Sequence, residues 1–325
     1  MTFLDKIEPL LLILAVGAGL LLGLNPFLRE MSKAFVSPFL TCMLLGLFWE
    51  VPLKDISKSF HNVKFTSTSL IINFIWTPAF AWTLSRLFMD NQPMLALGFV
   101  LLMVTPCTDW YLVFTGMSKG NVPLSVALLP LNLICQVLLL PVYILILGGD
   151  VGWTDPGLLL KSAVLALVVP FCLAKALKWL LEGKAGPTRL METLFAKRQF
   201  VWLWLAICMM FASERIIGEG YLPVFLSILF PVLIFFLANF WVSRTTGRLM
   251  GFDRPDTVSL IFTTLARNSP LALAFAQRAF PGERQVLLPL IIGPLVELPI
   301  LALIAQLIVT CWKGKENGEP AEKGA

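Results

Sequence analysis

Ten stretches of mainly apolar residues divide the chain, at about 7–24, 31–49, 65–89, 95–118, 121–147, 157–181, 199–217, 221–243, 256–280 and 285–311. An α-helix rises about 1.5 Å per residue, so a run of roughly 20 residues crosses a hydrocarbon layer about 30 Å thick. The runs are continuous and lack the apolar–polar alternation of a membrane barrel strand, so the pattern predicts helices. Polar residues and proline interrupt two of them, at Thr105-Pro106-Cys107-Thr108-Asp109 in the fourth and Arg267-Asn268-Ser269-Pro270 in the ninth.

Composition fixes the solvent. Of 325 residues, 58% are hydrophobic and 14% charged, against roughly 45–50% and about 25% in soluble domains. A protein of this size surrounded by water has too little interior to hide so much apolar side chain, which excludes a soluble globular fold. The formal charge of +5 is small and dispersed, which argues against nucleic acid as a partner. Its distribution is more informative. In a ten-span arrangement the side that carries both termini holds 17 Lys and Arg residues and the opposite side 7, with Arg267 inside a span. Basic residues accumulate in cytoplasmic loops, so a multi-pass protein of the cell membrane with both termini in the cytoplasm is expected. The N-terminal stretch has no small-residue cleavage site and reads as a retained first span. The polar tail, 313–325, is expected to be disordered. The six cysteines are scattered singly, which fits neither a disulfide framework nor a zinc site. His61 lies in a basic loop and reads as a surface residue.

An internal repeat divides the chain into 1–150 and 151–312. Leu128-Leu129-Pro130-Leu131 recurs 159 residues later as Leu287-Leu288-Pro289-Leu290, and each copy is followed by a further proline, Pro141 or Pro299. Counting back from these copies brings the two interrupted spans into register. Five spans per repeat is an odd number, so the halves run through the membrane in opposite senses. Inverted repeats with broken helices at matching positions characterise secondary transporters, whose binding site lies where the breaks meet.

Each break frees backbone groups in mid-membrane, because proline has no N–H and clashes with the preceding turn. In lipid only protein, water or solute can satisfy those groups. Asp109, Arg267 and Glu297 are the charges deep inside spans, and each costs at least about 2.5 kcal/mol unless it faces a partner or a cavity. Asp109 and Arg267 occupy nearly equivalent places in the repeats and are expected close together where the broken helices cross. Cys107 sits in the fourth-span break, where its thiol could be a soft ligand for a thiophilic solute such as trivalent arsenic. Asn73, Thr108, Asn132, Gln136, Thr263, Thr264, Asn268 and Ser269 could supply neutral hydrogen bonds to the same cavity, or serve as ordinary interhelical contacts.

Five stretches carry a family resemblance: Asn73-Phe-Ile-Trp-Thr-Pro-Ala-Phe-Ala-Trp82, Thr105-Pro-Cys-Thr-Asp109, Lys119-Gly-Asn-Val-Pro-Leu-Ser-Val126, Arg267-Asn-Ser-Pro-Leu-Ala272 and Gly293-Pro-Leu-Val-Glu297. Over nearly its whole length the chain resembles the superfamily that joins the bile acid:sodium symporters with the arsenical-resistance permeases, which export arsenite. The resemblance implies an all-α polytopic membrane protein of ten transmembrane helices in two inverted five-helix repeats, with helices 4 and 9 broken and crossed, and a panel beside a core domain. The segments around Cys107 and Glu297 are similar to the arsenite permeases, in which a fourth-helix cysteine and a tenth-helix glutamate are required. The Lys119-Gly-Asn-Val loop and the Asn268-Ser269 pair are more similar to the symporters. Where the symporters hold sodium, this chain has Tyr111, Leu112, Thr263, Arg267 and Asn73, so most of the oxygen cage a hard cation needs is missing. The resemblance therefore implies a guanidinium, Arg267, as a fixed positive charge where relatives place an ion.

The leading reading is a secondary active transporter that exports arsenite in exchange for protons rather than sodium, with Cys107 as a soft contact and Asp109 or Glu297 as the titrating carboxylate. The alternative is transport of a small organic anion, sodium- or proton-coupled, whose carboxylate would meet Arg267 and the half-helix N-termini. A sensor built on a transporter fold would need a signalling domain. No span carries a nucleophile with a base and its orienting partner, so an enzyme is not expected. Nothing in the sequence calls for a cofactor or a resident metal.

Overall fold

The computed structural model describes residues 3–51, 61–147, 156–214 and 221–316, and their regular structure is helical. In chain order the helices are α1 (Phe3–Leu22), α2 (Pro26–Glu50), α3 (Val63–Ile71), α4 (Thr77–Met89), α5 (Pro93–Met103), α6 (Trp110–Met117), α7 (Val122–Leu147), α8 (Pro156–Ala163), α9 (Val169–Leu180), α10 (Ala185–Leu194), α11 (Gln199–Glu214), α12 (Tyr221–Leu249), α13 (Arg254–Leu265), α14 (Ser269–Ala279) and α15 (Arg284–Glu316). A π-helical turn, Ile72–Trp76, joins α3 to α4 and another, Val164–Val168, joins α8 to α9. Among the described residues six segments are long and apolar enough to cross a membrane: Pro26–Glu50, Val122–Leu147, Lys161–Leu180, Ala185–Ser213, Phe225–Leu249 and Arg284–Thr310. The chain is a multi-pass membrane protein.

Two local outcomes differ from or extend the sequence expectations. The last helix runs on to Glu316, so the tail expected to be disordered from 313 begins as helix, and 317–325 lie outside the described residues. Residues 215–217 of the seventh apolar stretch also lie outside them. Helix α10 has no counterpart among the expected elements. His61 is exposed, as expected of a surface residue.

Proline inside a span leaves the carbonyl four residues earlier without its helical donor. Side chains from elsewhere answer two of these carbonyls. Pro78 frees the Phe74 carbonyl, which accepts from the Tyr143 hydroxyl of α7 at 2.7 Å. Pro294 frees that of Leu290, which accepts from Ser269 Oγ at 2.6 Å. The prolines that weaken single helices thus become cross-links between them.

Packing divides the helices into two groups. Helix α2 packs against α9 and α11, and α1 lies on α11. In the second group α5 packs on α15 and α4, α12 on α13, and α14 on α15. Arg278, near the end of α14, ties the groups together. Its guanidinium donates to Ser37 Oγ and Thr41 Oγ1 of α2, each at 3.2 Å, and to the Leu165 carbonyl in the second π turn at 3.2 Å.

Candidate functional site

The two breaks meet at one point, where Pro106 and Arg267 form an isolated antiparallel bridge. The Cys107 N–H donates to the Ala266 carbonyl at 2.9 Å, and the Asn268 N–H to the Thr105 carbonyl at 2.6 Å. A strand-like bridge of two hydrogen bonds therefore satisfies backbone that neither helix can. The ends of the half-helices sort by polarity around it. The N-termini of α6 and α14, at Asp109 and Asn268, border a cleft, while the C-termini of α5 and α13, at Met103 and Leu265, do not line it. Asn268 also caps α14, its Oδ1 accepting from the Leu271 N–H at 3.1 Å.

Arg267 answers the C-terminal carbonyls. Its side chain is buried and donates from Nε to the Leu265 carbonyl at 3.0 Å, from Nη1 to the Met103 carbonyl at 2.8 Å, and from Nη2 to Asn73 Oδ1 at 3.3 Å and to the Thr264 carbonyl. The guanidinium also lies over the Phe235 ring, 5.2 Å from its centroid. Helix C-termini carry partial negative charge, so a cation between two of them is stabilised without a carboxylate partner. Asn73 sits in the first π turn, and its Nδ2 donates to the Thr263 carbonyl at 3.3 Å. Asn239 of α12, which no sequence signal marked, joins the same network through the Thr264 carbonyl and Trp76.

The cleft is bounded by Cys107, Asp109, Trp110, Arg267, Asn268 and Ser269 at the crossing, by Pro294, Glu297 and Leu298 of α15, and by Phe200 and Leu203 of α11. It encloses about 430 Å³ including its mouth. Cys107 is 6% exposed. The Asp109 carboxylate is partly exposed and accepts from Thr108 Oγ1 at 3.3 Å, and Thr108 accepts in turn from Asn268 Nδ2 at 3.4 Å. Glu297 is buried, and its Oε1 accepts the Arg267 backbone N–H at 2.7 Å.

Asp109 and Arg267 thus share one wall, as their matching positions suggested, but they form no ion pair. The guanidinium turns instead to the half-helix C-termini. Of the neutral side chains expected to line the cavity, Asn268 and Ser269 do so and Thr108 stands directly behind Asp109. Asn73, Asn132, Gln136, Thr263 and Thr264 do not line the cleft. Asn73 and Thr264 belong to the Arg267 network. Asn132 and Gln136 are fully buried in α7, and neither end of either amide has a hydrogen-bond partner. Trp110, Phe200, Leu203 and Pro294 were not anticipated. Apolar residues in an apolar span carry no signal, and only the adjacency of Trp110 to Asp109 could have marked one of them.

Residues 34–310 match the sequence profile of the SBF-like CPA transporter family. The chain is 26% identical to arsenical-resistance protein Acr3 of Corynebacterium glutamicum over 342 aligned positions, covering 96% of this chain and 90% of that one. It is 27% identical to the uncharacterised protein YbaS of Bacillus subtilis over 299 positions, covering 85% and 94%.

Proposed function

This chain belongs to the SBF-like CPA transporter family, and on that premise we propose that it exports arsenite in exchange for protons. It is a transporter, not an enzyme. The observation that carries the substrate assignment is the placement of Cys107, Asp109 and Glu297 on one small cleft at the crossing. Arsenite at neutral pH is mostly an uncharged trihydroxide. One thiol gives such a solute a soft contact that can be released again. Asn268 and Ser269 offer hydrogen bonds to its hydroxyls. Asp109 and Glu297 are the carboxylates available to take up and release the exchanged proton. The similarity to a protein named for arsenical resistance supports the same reading.

The organic-anion reading keeps one part of its receptor, the half-helix N-termini at Asp109 and Asn268, and loses the other. It needs Arg267 to meet a carboxylate, whereas the guanidinium is committed to three backbone carbonyls and Asn73. The same commitment supports a built-in cation in place of sodium. We further read the two packing groups as a panel (α1, α2, α8, α9, α11) and a core, and the chain as ten spans in inverted repeats, 1–150 and 151–312, with both termini cytoplasmic.

Flux into proteoliposomes tests the assignment. Arsenite should be transported and organic acids should not, and Cys107→Ser should reduce arsenite flux at least tenfold while leaving the protein folded. A Cys107→Ser protein with undiminished arsenite flux would sink the proposal, and transport of organic acids untouched by that change would favour the alternative.

A further inference from the structure

Helix α10 lies between the membrane helices α9 and α11, far from the crossing in sequence. Its ten residues form the first part of the Ala185–Ser213 segment; by themselves they extend about 15 Å, too short to cross a bilayer, and none is buried. At helical periodicity Ala185, Thr188, Arg189 and Glu192 share one face, and Pro187, Leu190 and Leu194 share the opposite one. Leu190 is 58% exposed and Leu194 36%, and just before the helix Trp179 is 73% exposed. An amphipathic helix with leucines on one side and an exposed tryptophan nearby has the character of an element lying in the membrane interface.

The polar side adds an independent feature. Gly183, Lys184, Ala185, Thr188, Arg189, Glu192 and Lys197 enclose an open cleft of about 760 Å³. Three cations and one acid therefore meet there. All three cations are exposed, and among the described residues Lys184, Arg189 and Lys197 form no ion pair with Glu192 or any other acid. Basic residues accumulate in cytoplasmic loops in general. That tendency explains their number, not the gathering of three cations against one acid around one cleft beside an exposed apolar face. Like charges held together are stabilised when an anion joins them.

We propose that α10 is an in-plane anchor on the cytoplasmic leaflet, and that Lys184, Arg189 and Lys197 hold the phosphate of an anionic lipid headgroup while Leu190 and Leu194 enter the acyl boundary. The anchor is independent of the transported solute and takes from the functional proposal only the choice of leaflet. It joins the two membrane helices that flank it, and α11 supplies Phe200 and Leu203 to the transport cleft.

Thermal unfolding of the purified full-length protein in a neutral detergent tests the anchor, with phosphatidylglycerol, phosphatidylcholine or inorganic phosphate added. Phosphatidylglycerol should raise the unfolding midpoint saturably, and phosphatidylcholine and equimolar inorganic phosphate should not. The apparent lipid affinity should fall about fivefold for each charge removed in Lys184→Gln, Arg189→Gln and Lys197→Gln, corresponding to about 1 kcal/mol per charge near an anionic surface. Leu190→Ser with Leu194→Ser should weaken it while sparing the salt dependence. Equal effects of the two lipids would overturn the proposal, as would unchanged affinity in the single variants. An equal effect of inorganic phosphate would replace the leaflet with a free anion. The comparison of lipids on the unaltered chain stands even if a variant fails to fold.

Discussion

At the scale of single residues, Arg267 illustrates why a buried charge can be retained in a membrane protein. Its guanidinium offers five N–H donors in a fixed plane, and four buried oxygens take up four of them: the carbonyls of Met103, Thr264 and Leu265, and Asn73 Oδ1. Removing the side chain leaves carbonyls at two helix ends without donors, at about 1–3 kcal/mol each. Arg267→Gln is therefore expected to lose about 3–5 kcal/mol of stability, in the range for breaking a buried charged cluster. Arg267→Lys should recover only part, because one ammonium cannot reach carbonyls that a planar fork spans. Thermal unfolding in detergent measures both, and an unchanged midpoint for either variant would refute this account. The sequence marked Arg267 as functional from its charge and its place in an apolar span. It could not supply the partners, because the Met103 carbonyl is 164 residues away and Asn73 is 194.

Between elements, α5 approaches α15 closely at Gly98. A methyl there would overlap the Val286 carbonyl, and a backbone atom cannot swing aside as a side-chain tip can. Gly98→Ala must push the two helices apart, at the roughly 1–3 kcal/mol typical of overpacking. Helix α5 leads into the break that holds Cys107 and α15 carries Glu297, so the change also moves two walls of the cleft relative to each other. Transport is expected to fall more steeply than stability, read as arsenite flux beside the unfolding midpoint. Gly17→Ala in α1 is the control: a methyl meets nothing within 4 Å, and alanine favours a helix interior, so flux should be unchanged. Element boundaries were legible where proline and polar residues interrupt long apolar runs. Helix α10 was not legible, because Gly186 and Pro187 in a short basic segment read as loop, and its amphipathic period covers fewer than three turns.

For the whole molecule, the proposed coupling to protons rather than sodium draws on how charge is distributed around the crossing. A fixed cation already occupies the C-terminal ends of α5 and α13, so a mobile sodium ion would meet repulsion at the place where its charge would be useful. Arsenite flux in proteoliposomes is expected to persist when choline replaces sodium and to fall at least tenfold when a protonophore dissipates the pH gradient. The opposite pair of outcomes would reverse the assignment. Much of this arrangement could be read from the chain alone. Apolar run length, uninterrupted by alternation, determined helices in a membrane, and proline beside polar residues determined where two of them break, since both are properties of a few consecutive residues. The pairing across the crossing was decided only by the tertiary structure. Asp109 and Arg267 matched by repeat position, yet Arg267 turned away from Asp109 toward the carbonyls of Met103, Thr264 and Leu265, and gave its backbone N–H to Glu297. Asn132 and Thr263 looked equivalent to Asn268 by type, yet only Asn268 reached the cleft. Those outcomes depend on which helix ends meet and at what angle, and this is fixed by packing between segments about 160 residues apart, where local pattern carries no information.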